Sequence, residues 1–419
     1  MKTACVLGFG KSGTSATRFL LHLGYTVIAT DDNFSEGADL FFRKFEKTPH
    51  LLLCPPQEII PENFDFVVAS PGIRKTHPLI EKCRRCNIEV FCDIELAFRF
   101  MKNTEQKVVG ITGTNGKTTT TLLVEHMLKQ QNISAIGAGN IGLPICDVLL
   151  RENQPEVLVL ELSSYQLETI STKKIDIAAI LNISPNHLDW HASFDEYKKA
   201  KFRIANALQK DGVLLLPQSL KNFEKPAEYF SLDRFEDIGV DTKRVQLFEH
   251  DRLNFIVAYS IARKLGVVSE VAKEALYSFK KPDHRIQLVA EIEGISFYDD
   301  SKATNIDAVI QAVLAFKQPV VLIAGGLHKG SSYSKWIPHF RGNVREVVCY
   351  GQAKDLIFND LNQSIPTHKA TSFEDAVFQA KLLAKRGDVV LLSPGASSLD
   401  LFKSYEERGI LFQTLVKSL

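Results

Sequence analysis

The sequence predicts an α/β protein of three domains, each built on a mostly parallel sheet, and three observations carry that prediction. A chain of 419 residues exceeds the range over which one hydrophobic core keeps growing. Two glycine-rich turns, Gly8-Phe9-Gly10-Lys11-Ser12-Gly13 and Gly113-Thr114-Asn115-Gly116-Lys117-Thr118-Thr119, each stand between a short apolar run and a helical pattern. Two polar stretches, Met101 to Lys107 and Lys280 to His284, interrupt the pattern and divide the chain into residues 1–102, 103–284 and 285–419.

In the first domain, Ala4 to Leu7 and Tyr25 to Thr30 read as short buried strands flanking a helix that starts near Ser12, a βαβ unit of Rossmann-like kind. The central domain opens on the β-rich run Val108 to Ile111. The loop at Gly113 and the helical run Thr120 to Lys129 follow, giving a P-loop ATPase-like unit. Val157 to Leu160 and Ala178 to Leu181 are further strands, and Val271 to Phe279 is helical. Pro217 to Glu249 carries mixed short apolar runs and leaves its elements unassigned. The third domain alternates again, with strands at Val320 to Ala324, Val344 to Tyr350 and Val389 to Ser393. Helical patterns at Phe373 to Lys385 and Leu399 to Lys417 complete a second Rossmann-like unit.

Composition narrows the functions. With 45% hydrophobic and 24% charged residues the chain is an ordinary globular protein. Its 50 basic and 49 acidic residues nearly cancel, so no global field draws it to nucleic acid or a membrane surface. No apolar run approaches the roughly twenty residues needed to span a bilayer, and the N-terminal run is too short and interrupted for a secretory leader. Seven scattered cysteines suit reduced thiols, and a cytoplasmic, monomeric protein is expected. Cys83 and Cys86 form a CxxC, but no second pair or histidine cluster completes a zinc site.

The loop at Gly113 has the chemistry to hold a nucleoside triphosphate. Its glycines let backbone N–H groups turn toward phosphate oxygens, and the following helix adds its dipole. Lys117 then meets the β- and γ-phosphates and the Thr118 hydroxyl binds magnesium. One departure is that Ile111 occupies the position where the strict pattern has its first glycine. The N-terminal turn matches G-x-G-x-x-G, with Asp31 and Asp32 about twenty residues on. Taken alone it suggests a nicotinamide cofactor; a nucleotide-diphosphate substrate fits better, since a second phosphate loop already claims ATP. Glu161 ends a strand where hard oxygen ligands collect in open α/β sheets. His187 follows another strand, and Lys201 sits among lysines from which nothing local separates it.

Together, GTNGKTT at Gly113, GNIG at Gly139 to Gly142, ELSSYQLE at Glu161 to Glu168, NHLDWH at Asn186 to His191 and the lysine of YKKAK resemble the Mur ligase family, which builds the peptide stem of peptidoglycan. Ser70-Pro71-Gly72-Ile73 extends the resemblance into the first domain. Asp300-Ser301-Lys302-Ala303-Thr304-Asn305 and Ser393 to Asp400, followed by Phe402 and Tyr405, resemble the members that add D-glutamate.

The resemblance implies an ATP-dependent amide ligase that joins D-glutamate to UDP-N-acetylmuramoyl-L-alanine through an acyl phosphate. It implies that Gly113, Thr114, Asn115, Gly116, Lys117, Thr118 and Thr119 hold ATP with Asn254, Arg285 and Asp300. Thr118, Glu161, His187 and a carbamylated Lys201 would bind two magnesium ions, with Lys117, His187, Lys201, Asp300 and Lys302 serving catalysis. Asn140, Ser163 and Gln166 resemble contacts to the UDP-sugar substrate, with Ser70, Pro71 and Gly72 beside it. Lys11, Ser12, Asp31, Asp32 and Asn33 fall near its uracil end. Thr304, Lys329, Ser398 and Tyr405 match positions around D-glutamate. Two departures stand out: His250-Asp251-Arg252-Leu253-Asn254 replaces a HN pair, and Tyr405 stands where phenylalanine is common. Sister ligases for another amino acid, a nicotinamide-dependent oxidoreductase and a non-catalytic nucleotide-binding regulator are the competing readings.

Overall fold

The computed structural model describes residues 2–32, 48–187, 190–245, 247–340 and 342–419. Asn33 and the Leu188-Asp189 pair of NHLDWH lie outside the described residues. The chain falls into two compact units: residues 1–183, 198–246 and 252–279 form the first, and residues 184–197, 247–251 and 280–419 the second.

The first unit holds two sheets. One has strands β1 (Thr3–Leu7), β2 (Thr26–Thr30), β3 (Leu51–Leu53), β4 (Phe66–Ala69) and β5 (Val90–Phe91), in the order β3-β2-β1-β4-β5. The other has β6 (Lys107–Thr112), β7 (Ala135–Gly139), β8 (Val157–Glu161), β9 (Ile175–Ile180), β10 (Leu208–Pro217) and β11 (Glu228–Phe230), in the order β11-β10-β9-β6-β8-β7. Every strand pair in both sheets is parallel. Such sheets need cover on both faces, which is why their strands read as continuous apolar runs rather than alternating ones. One apolar cluster spans both sheets, from Val6, Phe66 and Phe91 to Leu158, Ile180 and Leu214, and another around Cys5, Ile59 and Leu79 packs on the first sheet.

Polar ties join the same two sheets. The Glu95 carboxylate, fully buried, accepts from the backbone N–H and hydroxyl of both Ser171 and Thr172 at 2.7–3.0 Å and from Arg99 Nε at 2.8 Å. Arg18 forks onto Asp147 at 2.6 and 2.7 Å.

The second unit is built on β12 (Gln287–Ile292), β13 (Ile295–Asp299), β14 (Val320–Gly325), β15 (Val344–Tyr350), β16 (Thr367–Lys369) and β17 (Val389–Leu392), in the order β12-β13-β17-β14-β15-β16. All of its pairs are parallel except the β12–β13 hairpin. Separate apolar clusters cover the two faces, one around Val309, Trp336 and Leu391 and one around Phe297, Tyr350 and Phe412.

Two stretches differ from the sequence reading. The last helix runs only Tyr405–Lys417, because Ser404 caps it through a 3.3 Å bond from Glu407 N–H, leaving Leu399 and Leu401 exposed outside it. The unassigned segment after Pro217 folds into β11 and a short helix, Arg234–Ile238, closed by Gly239 at φ +71°.

Candidate active site

The loop after β6 is shaped by glycine where no side chain fits. Gly116 has φ +83°, and a Cβ there would stand 2.3 Å from Asn254 Oδ1. The adenine-side candidate Asn254 is therefore packed directly on the phosphate loop. Ile111 stands where the strict pattern has glycine because that position lies inside β6, paired with Glu161 and Ala179 and fully buried. Asn182, unremarked in the sequence, pins the loop: its carbonyl accepts from Thr114 N–H and its Oδ1 from Asn115 N–H, both at 2.9 Å. The available signal was its place just after an apolar strand.

Helix Lys117–Gln130 starts at this loop and brings the next candidates together. Lys117 Nζ donates to the Gly113 and Thr114 carbonyls at 2.9 Å. The Thr118 hydroxyl donates to Glu161 Oε2 at 2.8 Å, and Asn140 Nδ2 donates to Glu161 Oε1 at 2.9 Å. Glu161, at the carboxyl end of β8, is 3% exposed. Lys201 is 2% exposed, and its Nζ donates to the Gly113 carbonyl at 2.8 Å. Burial drives its pKa well below the ordinary lysine value, and the Lys117 charge adds to this while Glu161 opposes it. Thr114 and Thr119 are buried with the loop.

The N-terminal turn is equally tight. A Cβ on Gly13 would lie 1.8 Å from the Gly8 carbonyl oxygen, so the third glycine lets the helix close onto the strand. Ser70 Oγ donates to that same carbonyl at 3.0 Å, while Pro71 is half-buried and Gly72 exposed in the loop after β4. Asp31 Oδ2 accepts from Phe9 N–H at 2.7 Å, so the carboxylate that a nicotinamide reading would give to a ribose serves the turn itself. Asp32 pairs with His77 at 2.9 Å, and Lys11 is exposed. Ser163 and Gln166 form a capping box on helix Ser164–Leu167. Ser12 and Gln166 approach the buried carboxyl of Asp93, which burial pushes above the usual range. Nothing in the sequence singled Asp93 out. Cys86 donates its thiol hydrogen to Glu62 at 3.1 Å, and its partner Cys83 is buried.

The remaining candidates lie in the second unit. Asp300 is 6% exposed; its Oδ2 accepts from Ser393 Oγ at 2.8 Å and its Oδ1 from Ile286 N–H at 3.3 Å. Burial pushes its pKa up to about 7, against the pull of Ser393 and Arg285. Arg285 sits between two residues at positive φ, His284 at +63° and Ile286 at +45°. His284 is held by a 2.6 Å contact from Nδ1 to Asp299 Oδ2, which raises its pKa. Lys302 Nζ lies 3.7 Å from the centre of the Tyr405 ring, a cation–π contact that a phenylalanine would also offer. Lys329 Nζ donates to Thr304 Oγ1 at 3.3 Å. Ser398 is buried, and its carbonyl accepts from Leu401 and Phe402 N–H. His187 has φ +55° and accepts through its carbonyl from His191 N–H at 2.9 Å. Arg408, also missed in the sequence, is fully buried and donates to the Ser301 hydroxyl and carbonyl at 2.9 and 2.7 Å.

Among the described residues no cluster of three His, Cys, Asp or Glu side chains forms a metal cage, and no helix is long and apolar enough to cross a membrane.

Comparison with known proteins covers the whole chain. Residues 2–92 match a family described as the Mur ligase MurD-like N-terminal domain, residues 111–256 the Mur ligase middle domain, and residues 284–395 the Mur ligase glutamate ligase domain. The UDP-N-acetylmuramoylalanine–D-glutamate ligase of Protochlamydia amoebophila is 39% identical over 447 residues, spanning 100% of this chain and 98% of the relative. Its namesake in Chlamydia felis is 38% identical over 98% of this chain and 96% of the relative, and that of Caldicellulosiruptor bescii is 35% identical over 100% and 98%. Among solved structures, MurF of Thermotoga maritima in complex with ADP aligns with a TM-score of 0.61 at 18% identity, covering 85% of this chain and 90% of that one. MurC of the same organism aligns at 0.59 and 17% identity, covering 100% and 99%. These two show the fold. The chain belongs to the Mur ligase family, within the group that carries the MurD-like N-terminal domain.

Proposed function

We propose that this protein is an ATP-dependent amide ligase that joins D-glutamate to UDP-N-acetylmuramoyl-L-alanine in the cytoplasmic assembly of peptidoglycan precursors. The observation that carries the reading is the grouping of Lys117, Thr118, Glu161 and Lys201 about one phosphate loop, in a chain similar over its full length to ligases of that name. Residues 1–102 would take the UDP-sugar, 103–284 ATP, and 285–419 the amino acid.

In this reading the backbone N–H groups of Gly113 to Thr119 hold the ATP phosphates, and Asn254 and Arg285 hold the nucleotide. The alanyl carboxylate attacks the γ-phosphorus, ADP leaves, and an acyl phosphate forms. Lys117 offsets the charge that spreads over the transferring group. The neutral amine of D-glutamate then attacks the acyl carbon, and phosphate leaves as the amide forms. Asp300, with its pKa near 7, or His187 takes the proton that the amine gives up.

The donor set fits magnesium: the Thr118 hydroxyl and the Glu161 carboxylate are hard oxygens held 2.8 Å apart at the mouth of the loop. Bound there, magnesium would neutralise phosphate charge. A second ion would use His187 and Lys201 as a carbamate. Burial that lowers the pKa of this lysine favours the free amine that adds to carbon dioxide, which suits that modification.

The UDP-sugar falls to Ser12, Asn140, Ser163 and Gln166, with Lys11, Asp31, Asp32, Ser70, Pro71 and Gly72 around them, and D-glutamate to Thr304, Lys329, Ser398 and Tyr405, with Lys302 beside Tyr405. The protein acts as a monomer. The test is phosphate release from ATP with UDP-N-acetylmuramoyl-L-alanine, comparing D-glutamate with L-glutamate, L-alanine and diaminopimelate. Release that requires D-glutamate is expected, and release that instead requires another amino acid would replace the substrate while keeping the ligase chemistry.

A further inference from the structure

The second unit contains a small, half-open recess whose wall includes Asn186, Asn305, His328, Lys329, Ser331 and Tyr333. Lys329 is among the residues already proposed to surround D-glutamate; the histidine beside it has no assigned role. Among the described residues the lining holds no carboxylate, while a lysine, a histidine and the N-terminus of helix Ile306–Leu314 all face it. That helix is capped by Asn305, whose side chain accepts from Ala308 N–H at 2.9 Å. Positive charge and a helix N-terminus make a space for an anion.

The orientation of His328 is set from behind. Its Nδ1 lies 3.2 Å from the hydroxyl of Tyr333, which is 1% exposed, and the two rings are 5.4 Å apart. Burial, with Asp360 and Asp400 adding to it, keeps that phenol protonated far above the ordinary tyrosine range. A buried phenol hydroxyl seeks an acceptor, and the ring nitrogen is within reach. When Nδ1 accepts, the imidazole proton sits on Nε2, so Nε2 is a hydrogen-bond donor whether the ring is neutral or charged. The tyrosine itself is fixed by packing on Trp336 at 4.9 Å and by the 2.8 Å bond from its own N–H to Asp360. A donor held by such a shell is preorganised for its ligand.

We propose that His328, oriented by Tyr333, donates through Nε2 to a carboxylate of the incoming amino acid and sets the selectivity for a dicarboxylic substrate together with Lys329. This deepens the proposed ligase reading and rests on it. Two cationic or donor groups side by side favour a substrate with two carboxylates over one whose second carboxylate is an amide. Such a residue serves specificity and not the phosphoryl transfer, so its loss should appear in amino-acid affinity alone.

The test is steady-state kinetics of phosphate release on the full chain, comparing wild type with His328→Ala, His328→Gln and Tyr333→Phe. His328→Ala should raise KM for D-glutamate by about tenfold to a hundredfold, the range for losing one charge-assisted hydrogen bond. KM values for ATP and the UDP-sugar should stay within about twofold. His328→Gln, which returns an amide donor near the Nε2 position, should recover part of the loss, and Tyr333→Phe should give a smaller rise of the same kind. D-glutamine and D-isoglutamine identify the carboxylate: the preference for D-glutamate over one of them should collapse in His328→Ala.

An unchanged KM and unchanged preferences in a folded His328→Ala would overturn the assignment, as would equal loss for all three substrates. Should His328→Ala fail to fold, the split between His328→Gln and Tyr333→Phe decides by the same criteria. A wild-type protein that releases no phosphate with D-glutamate would instead reject the ligase reading itself.

Discussion

Asn254 Oδ1 lies where a side chain on Gly116 would begin, 2.3 Å from the position of a Cβ. The central-domain asparagine and the phosphate loop therefore occupy one packed surface, and a change in either is felt by both. Gly116→Ala would force an alanine to φ +83° and push Asn254 away. Left-handed strain alone costs about 1–2 kcal/mol. We expect that loss in denaturant unfolding, together with at least about a tenfold rise in KM for ATP. Wild-type affinity for ATP in this variant would mean that the contact does not shape the loop.

Lys117→Ala should remove turnover by about a thousandfold, the scale of losing one preorganised charge at a transferring group. The folded state should survive, because the bonds that Nζ donates to the Gly113 and Thr114 carbonyls lie within its own loop. Circular dichroism and phosphate release measured on the same sample separate the two effects, and substantial residual turnover would sink the phosphate-loop assignment.

Thr118 and Glu161 share one hydrogen bond, so their substitutions should not add. Thr118→Ala and Glu161→Gln are each expected to increase the magnesium concentration needed for half-maximal activity. In the double variant the increase should fall short of the product of the singles, as residues acting as a unit do. Strictly multiplicative effects in a magnesium titration would argue that the two residues act apart.

The pair His284–Asp299 gives the stability a defined pH dependence. The folded pKa of His284 is raised, first by its hydrogen bond to Asp299. Its contribution is therefore complete below the unfolded histidine value of about 6.5 and is lost as pH climbs through the raised folded value. Asp299→Asn should destabilise the protein more at about pH 5.5 than at about pH 9. Urea midpoints of wild type and variant at the two pH values measure this, and a pH-independent difference would show that the pair is not charged.

Asp300 should also mark the activity profile. With its carboxyl at about 7, the ionised form that accepts a proton is populated only above that pH. The turnover number should rise through about pH 7, and Asp300→Asn should flatten that limb. A limb unchanged in the variant would assign the proton transfer to another group, with His187 the next candidate.

Local sequence was enough to place the phosphate loop, because glycines at fixed spacing between a strand and a helix leave few alternatives. It also located β14 and β15 closely, since parallel strands covered on both faces are apolar throughout. The sequence pattern places the start of the last helix too early, at Leu399, where the helix itself begins at Tyr405. Hydrophobic spacing continues across Leu399 and Leu401, and only the Ser404 cap shows where the helix begins.

The sequence by itself determined three α/β domains, the two glycine turns, the phosphate-loop lysine and threonine, and the family. Tertiary structure decided which of several identical side chains is special. Lys198, Lys199 and Lys201 are alike on paper, yet Lys199 is exposed while Lys201 is buried against Gly113, a residue 88 positions away. Asp93, Arg408 and the His328–Tyr333 pair emerge for the same reason. Their environments are built from distant segments, and desolvation and hydrogen-bond partners depend on what packs around a group in space, which local spacing does not encode.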